Sequence, residues 1–261
     1  MMGDADHWTA LALWAGQHGL ALYVGSLALL LLGTGLAHRW AVPAGRHGVA
    51  TGLAVMALSA SVFSAVAWQL RASGSLAAAD ARFLQALGPG VSPAARRLFA
   101  GLTHAADTAT LTGLCVAGAL ALLAHGQRLL AAAWVLAIAG NGLLNTSLKQ
   151  SFGRLRPVQL AGYLAEPGLS FPSGHSSGAV VAYGMAAGLA LRLLPPRWHL
   201  PVLLLAVTLA FSVGASRVVL QVHFASDVLA GFASGSAWLA LCLTGLAVVH
   251  RAGLAGQAPR P

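Results

Sequence analysis

The chain has 261 residues, 57% hydrophobic and 8% charged, with 15 Lys+Arg against 6 Asp+Glu and a formal net charge of +9. A soluble domain carries about 25% charged residues, and a disordered chain combines low hydrophobicity with high charge, so this composition excludes the second and argues against the first. The basic residues are scattered singly, with only Arg96 and Arg97 adjacent, which fits the loop arginines that orient membrane spans and not the basic stripe of a nucleic-acid binder.

Residues 1–17 do not read as a secretory signal. Asp4 and Asp6 are acidic and no Lys or Arg precedes Arg39, so the first apolar run is expected to be retained. Seven windows free of Asp, Glu, Lys and Arg follow: 18–38, 49–70, 108–126, 129–148, 172–191, 199–216 and 228–249. Each approaches the ~20 residues of a membrane-crossing helix. The expected fold is an all-α, polytopic transmembrane bundle of about seven spans. Gly and Ala within it allow close helix contact. Gln257–Pro261 reads as a frayed tail.

Seven spans put loops 39–48, 127–128 and 192–198 on the side of the C-terminus, with Arg39, Arg46, Arg128, Arg192, Arg197, Arg251 and Arg260 and no acid. The opposite side holds eight cations, four of them in the motifs below. Counting the rest, seven against four, the C-terminus is expected in the cytoplasm and the N-terminus outside. Trp40, Trp68 and Trp198 fall at span ends, as interfacial anchors would. Loop 71–107 is the longest connection. Phe83, Leu84 and Leu87, and again Leu98, Phe99 and Leu102, form apolar faces of two short helices. These lie in the membrane interface with Arg82, Arg96 and Arg97 toward headgroups, or they simply connect. Cys115 and Cys242 sit in apolar runs and suggest neither a disulfide framework nor a zinc site.

Three stretches break the apolar pattern with chemically capable residues. Lys149, the one lysine, closes the fourth span and is followed by Arg154, Arg156 and Pro157. These are cations snorkelling to an interface, or an anion site with Lys as a point charge and Arg as a fork for phosphate oxygens. Phe171-Pro-Ser173-Gly174-His175-Ser-Ser177 opens the fifth span. A helix N-terminus offers free N–H groups to a phosphate, and Gly174 allows close backbone approach. The third stretch runs from Ser216 and Arg217 to His223 and Asp227. If helical, His223 and Asp227 share a face, where Asp would fix the imidazole tautomer; the alternative is a structural pair. No span separates the first two stretches and two separate the second from the third. All three therefore meet at one membrane face. Lys149, Arg156 and Arg217 roughly neutralise a phosphate of about −1.5 to −2. No DxD pair, HExxH or acidic cluster suggests a metal. The set points to metal-independent, cofactor-free phosphoryl transfer through a histidine.

KxxxxxxRP, PSGH and SRxxxxxHxxxD, in that order, resemble the three signatures of the type 2 phosphatidic acid phosphatase (PAP2) superfamily. The matching residues are Lys149, Arg156 and Pro157; Pro172, Ser173, Gly174 and His175; Ser216, Arg217, His223 and Asp227. The resemblance covers about 80–261. It implies that His223 attacks phosphorus, Asp227 orients it, and His175 protonates the leaving oxygen and then activates water. It further implies that Lys149, Arg156, Ser173, Gly174 and Arg217 hold the phosphoryl oxygens, with Arg154 as a secondary phosphate or headgroup contact. Relatives commonly have six core spans, so 1–48 is expected to be an extra N-terminal span and loop, 49–249 the phosphatase core and 250–261 a cytoplasmic tail. The implied partners are the bilayer and a lipid phosphate or diphosphate (phosphatidate, phosphatidylglycerophosphate or a polyprenyl diphosphate). The expected location is a bacterial inner membrane, with the site on the periplasmic or extracellular face. The alternatives are phosphotransfer to an alcohol acceptor, or a non-catalytic protein that binds or moves anionic lipids.

Overall fold

The computed structural model describes residues 4–41, 48–72, 74–157 and 168–255. Ten α-helices follow in order among them: α1 Asp4–Gln17, α2 Gly19–Ala41, α3 Gly48–Ala72, α4 Ser75–Gly90, α5 Pro93–Thr103, α6 Thr108–Ala124, α7 Arg128–Phe152, α8 Gly174–Leu193, α9 His199–Val219 and α10 Ala225–Ala255. The seven charge-free windows correspond to α2, α3 and α6–α10. Six of these are long and apolar enough to cross a membrane alone. The seventh, α6, has 17 residues and qualifies together with α5, across a bend of 43°. Leu29, Leu58 and Leu143 on these helices are 68–73% exposed, which suits a hydrocarbon solvent rather than water. Trp68 and Trp198 stand exposed at span ends. The side chains of Arg39 and Trp40, the loop holding Arg46, and the tail with Arg260 lie outside the described residues.

The core lies where α7, α8 and α10 meet, around Trp134, Val181, Met185, Cys242 and Leu246. Lipid tails are as apolar as leucine, so close backbone packing must supply much of the helix association here. Gly231 and Gly235, one turn apart on α10, provide it. A Cβ at Gly231 would stand 2.6 Å from the Ser173 carbonyl oxygen, and one at Gly235 2.8 Å from that of Ser177. This contact holds the start of α8 against the start of α10.

The expected interfacial helix pair is α4 and α5. Ser92 caps α5 by accepting from Ala95 N, with Pro93 at its first position, as helix starts favour. Leu84 is buried, and Leu87 and Phe99 are buried against Val219, Leu220 and Val222, so the pair forms a shelf beneath the α9–α10 turn. Two details differ from expectation. Leu98 is 62% exposed. Arg96 reaches back to the Gly88 and Val91 carbonyls at the end of α4, because those C-terminal oxygens need a donor and attract a cation. Helix α1 was not expected; it packs along α4.

Candidate functional site

The end of α7 is set by Gly153, whose φ of 63° ends the helix in a left-handed cap while its N–H bonds Lys149 O at 3.0 Å. The chain then folds back. Ser170 N donates to Arg154 O at 2.7 Å, and Leu155 and Leu169 form an isolated antiparallel bridge. Lys149 Nζ donates to Leu169 O at 2.8 Å. The first motif is thus pinned to the segment that leads into the second.

Ser173 is the N-cap of α8. Its hydroxyl accepts from Ser176 N, and its own N–H donates to Asp227 O at 3.0 Å. The second and third motifs are joined by that bond and by the glycine contact of α10. The third motif is not one helix. After Val219 the chain makes a tight turn through Gln221, which has a φ of 58°, and the N–H groups of Val222 and His223 both donate to Arg217 O. Gln221 Nε2 secures the turn to Leu84 O at 2.9 Å. His223 stands in the turn and Asp227 in the first turn of α10. They still meet, because Asp227 reaches back to accept from Phe224 N at 2.9 Å, as an acidic residue at the third position of a helix does.

His223 and Asp227 are both fully buried. Asp227 Oδ2 lies 3.4 Å from His223 Nδ1 and accepts a short bond from the Ser170 hydroxyl. On the other edge of the ring, Arg156 Nη1 lies 3.0 Å from His223 Nε2 and donates to Val222 O. A guanidinium can only donate, so Nε2 carries the lone pair and Nδ1 the proton. Burial, reinforced by the charges of Arg156 and Arg217 and opposed by Asp227, pushes the His223 imidazole down to about 4. The ring is neutral at physiological pH.

Lys149, Arg156, Gly174, His175 and His223 line one cavity of about 610 Å³. The three sequence stretches therefore converge, at the end of α7 and the starts of α8 and α10. Ser173, Arg217 and Asp227 are fully buried and are not among the residues that line it. Arg217 Nη1 donates to Thr103 Oγ1 at 2.6 Å. Arg154, expected as a secondary phosphate or headgroup contact, is held between two carboxylates. Its Nη1 pairs with Asp227 Oδ1 at 2.7 Å and its Nη2 with Asp80 Oδ2 at 2.9 Å. Two buried carboxylates lie within reach and a buried charge needs a partner, so Arg154 braces the third motif from behind.

Several contributors escaped sequence reasoning. Asp80 of α4 accepts from Arg154 and from the backbone and hydroxyl of Ser226. Ser170 and Thr103 hold Asp227 and Arg217. Asp107, between the His104–Ala106 turn and α6, accepts from His175 Nε2 at 2.9 Å and from His104 Nδ1 at 2.6 Å. It occupies an N-cap position yet makes no side-chain cap bond to the helix. Burial alone would raise its carboxyl, but the two histidine bonds outweigh that and hold it below the ordinary carboxylate range. Its signal in the sequence was a lone Asp before an apolar run, which reads as a helix cap.

Among the described residues no group of three His, Cys, Asp or Glu is arranged to hold a metal ion. The arrangement can bind an anion among cations and a helix N-terminus, present a neutral imidazole lone pair to it, and exchange a proton through a second histidine.

The chain is similar to known membrane phosphatases. A model of the PAP2 superfamily matches residues 128–250. Phosphatidylglycerophosphatase B of Bacillus subtilis (strain 168) is 33% identical over 150 residues, 55% of this chain and 71% of that protein. Lipid A 1-phosphatase of Rhizobium johnstonii is 38% identical over 127 residues, 44% of this chain and 46% of that protein. The crystal structure of a transmembrane PAP2 type phosphatidylglycerolphosphate phosphatase from Bacillus subtilis aligns with a TM-score of 0.62 at 27% identity, over 80% of this chain and 98% of that one.

Proposed function

We propose that this chain, which belongs to the PAP2 superfamily, is an integral-membrane lipid phosphatase that works through a phosphohistidine. The carrying observation is the 3.0 Å approach of Arg156 to His223 Nε2 at the wall of a cavity shared with Lys149 and His175. It orients the nucleophile and sets a phosphate-binding cation beside it.

Lys149, Arg156 and the N-terminus of α8 at Gly174 take the phosphoryl oxygens, with the buried charge of Arg217 and the cap at Ser173 behind them. His223 Nε2 attacks phosphorus. The P–N bond forms as the P–O bond to the lipid breaks, and His175 gives a proton to the departing alkoxide. Asp227 and Ser170 hold the Nδ1 side of His223 as charge develops on the ring. Neutral His175 then takes a proton from water, whose oxygen attacks phosphorus and breaks the P–N bond. Inorganic phosphate leaves, and both histidines return to their starting states. Asp107 holds His175 throughout and favours its protonated form. The relatives' names support a phosphomonoester of a membrane lipid as substrate. The arginine count supports a site on the periplasmic or extracellular face and a cytoplasmic C-terminus.

The test is phosphate release by purified protein in detergent with EDTA, on phosphatidate, phosphatidylglycerophosphate and a polyprenyl diphosphate. Wild type is expected to release phosphate and His223→Ala is not. Equal release by both overturns the reading. Dephosphorylation of the lipid only when an alcohol is added, with the phosphoryl group recovered on that alcohol and no free phosphate, favours phosphotransfer.

A further inference from the structure

The cavity does not stop at the phosphate cup. It continues between α6, α7 and α8 to apolar Val116, Ile138 and Val181, and Val116 is 53% exposed. Its middle is polar. Asn145 and Asn141 lie one and two turns below Lys149 on the same helix, so Asn141 is about 12 Å deeper at 1.5 Å per residue. Both are buried. Asn145 Nδ2 is spent on Pro172 O and Ser177 Oγ, at 3.5 and 3.4 Å. Asn141 Nδ2 reaches Ser177 Oγ at 3.4 Å. The Asn141 carbonyl oxygen is buried and has no hydrogen-bond partner among the described residues. A buried amide is costly without partners, and within a membrane helix such a residue is expensive unless it serves a packing or binding role.

We propose that Asn141 is a specificity residue that reads the acyl linkage of the substrate, the carbonyl, hydroxyl or amide groups that join a phosphorylated backbone to its fatty chains. The inference rests on the lipid phosphatase reading and sharpens it. With phosphate held by Lys149 and Arg156, the next stretch of the lipid passes Asn145 and Asn141 before its chains reach Val116, Ile138 and Val181. Either orientation of the amide leaves one polar atom available. The NH₂ group serves an ester or amide carbonyl, and the oxygen serves a hydroxyl or amide N–H. A polyprenyl phosphate is hydrocarbon directly beyond its phosphate oxygens and would leave that one polar atom of Asn141 unpaired. A site built around a hydrogen bond rejects the analogue that lacks the group, because its own polar atom is then stranded.

The experiment compares kcat/KM on four substrates in one detergent: phosphatidate and phosphatidylglycerophosphate (ester-linked), an N-acylated sugar 1-phosphate lipid (amide-linked), and a polyprenyl monophosphate. Wild type is expected to favour at least one acyl-linked lipid over the polyprenyl phosphate by about tenfold or more. Which acyl lipid leads distinguishes ester from amide. Asn141→Leu is expected to cut that ratio by about tenfold, chiefly through the acyl substrate, and Asn141→Ser to retain part of it. The ratio is insensitive to the fraction of folded protein. A wild type that prefers the polyprenyl phosphate, or a ratio unmoved by Asn141→Leu, overturns the proposal and leaves the phosphatase reading standing. Release from none of the four, or equal release by His223→Ala, overturns the phosphatase reading itself.

Discussion

The two histidines of the site live in opposite settings. His223 is sealed, with Asp227 equally buried behind it and Ser170, Arg154 and Phe224 N closing around that carboxylate. The His175 side chain keeps 18% of its surface exposed, and its partner Asp107 keeps 37%. The difference suits the two tasks proposed for them. A nucleophile needs an unprotonated lone pair in a dry site, where burial and neighbouring cations disfavour the imidazolium. A general acid must gain and lose a proton each cycle, which requires contact with water and a carboxylate that favours the charged ring.

Removing the sealed histidine gives the largest expected effect. His223→Ala should lower kcat by a factor on the order of 10⁴ or more, as loss of a nucleophile does; phosphate release at substrate saturation reads it. Breaking the seal from behind comes next. Arg154→Gln leaves Asp80 and Asp227 buried without their cation, and breaking a buried pair costs about 3–5 kcal/mol. Thermal unfolding in detergent should show a lower Tm, whereas a headgroup-binding Arg154 would leave Tm unchanged and raise KM.

Arg156→Gln should lower kcat/KM by about 10²–10³, as loss of one electrostatic stabiliser does. The same substitution tests the charge balance around His223. With the imidazole pushed down to about 4, the acid limb of kcat/KM due to this group lies well below the free-histidine value of about 6.5. Without Arg156 that limb should move up. A stability effect accompanies it. In the unfolded chain His223 binds a proton near 6.5 but in the folded state only near 4. Stability is therefore lost as pH falls between those values, by up to about 1.4 kcal/mol per unit, and levels off below. His223→Gln should flatten that part of the pH–stability curve. The smallest effect is expected at the open pair. Asp107→Asn should slow hydrolysis of lipid phosphates by about 10-fold to 10²-fold, less than loss of a whole general acid. It should barely slow p-nitrophenyl phosphate, whose leaving group needs no proton. Equal slowing of both would assign Asp107 to structure alone.

The spans were legible because lipid imposes long charge-free runs, and α2, α3 and α6–α10 fall where those runs lie. The convergence of Lys149, Arg156, His175 and His223 was legible from span counting alone. Direction was not. Spacing put Arg154 beside Arg156, yet nothing local says that one guanidinium faces the cavity and the other turns to Asp80, 74 residues earlier in the chain. Asp107 was hidden for the same reason. It lies 68 residues from His175, and its position before α6 reads as an ordinary cap. Helix α1 was missed because 14 residues at the chain end, unlike a span, leave no charge-free run of membrane length.

The most direct test of His223 as nucleophile is to trap the intermediate. ³²P-labelled p-nitrophenyl phosphate, whose leaving group needs no proton, would be mixed with His175→Ala, quenched in alkali, and the labelled peptide mapped. Label on the His223 peptide, stable in alkali and lost in acid as a phosphoramidate is, is the predicted result. Label on another residue, or phosphate released with no labelled protein at any time point, would contradict the assignment.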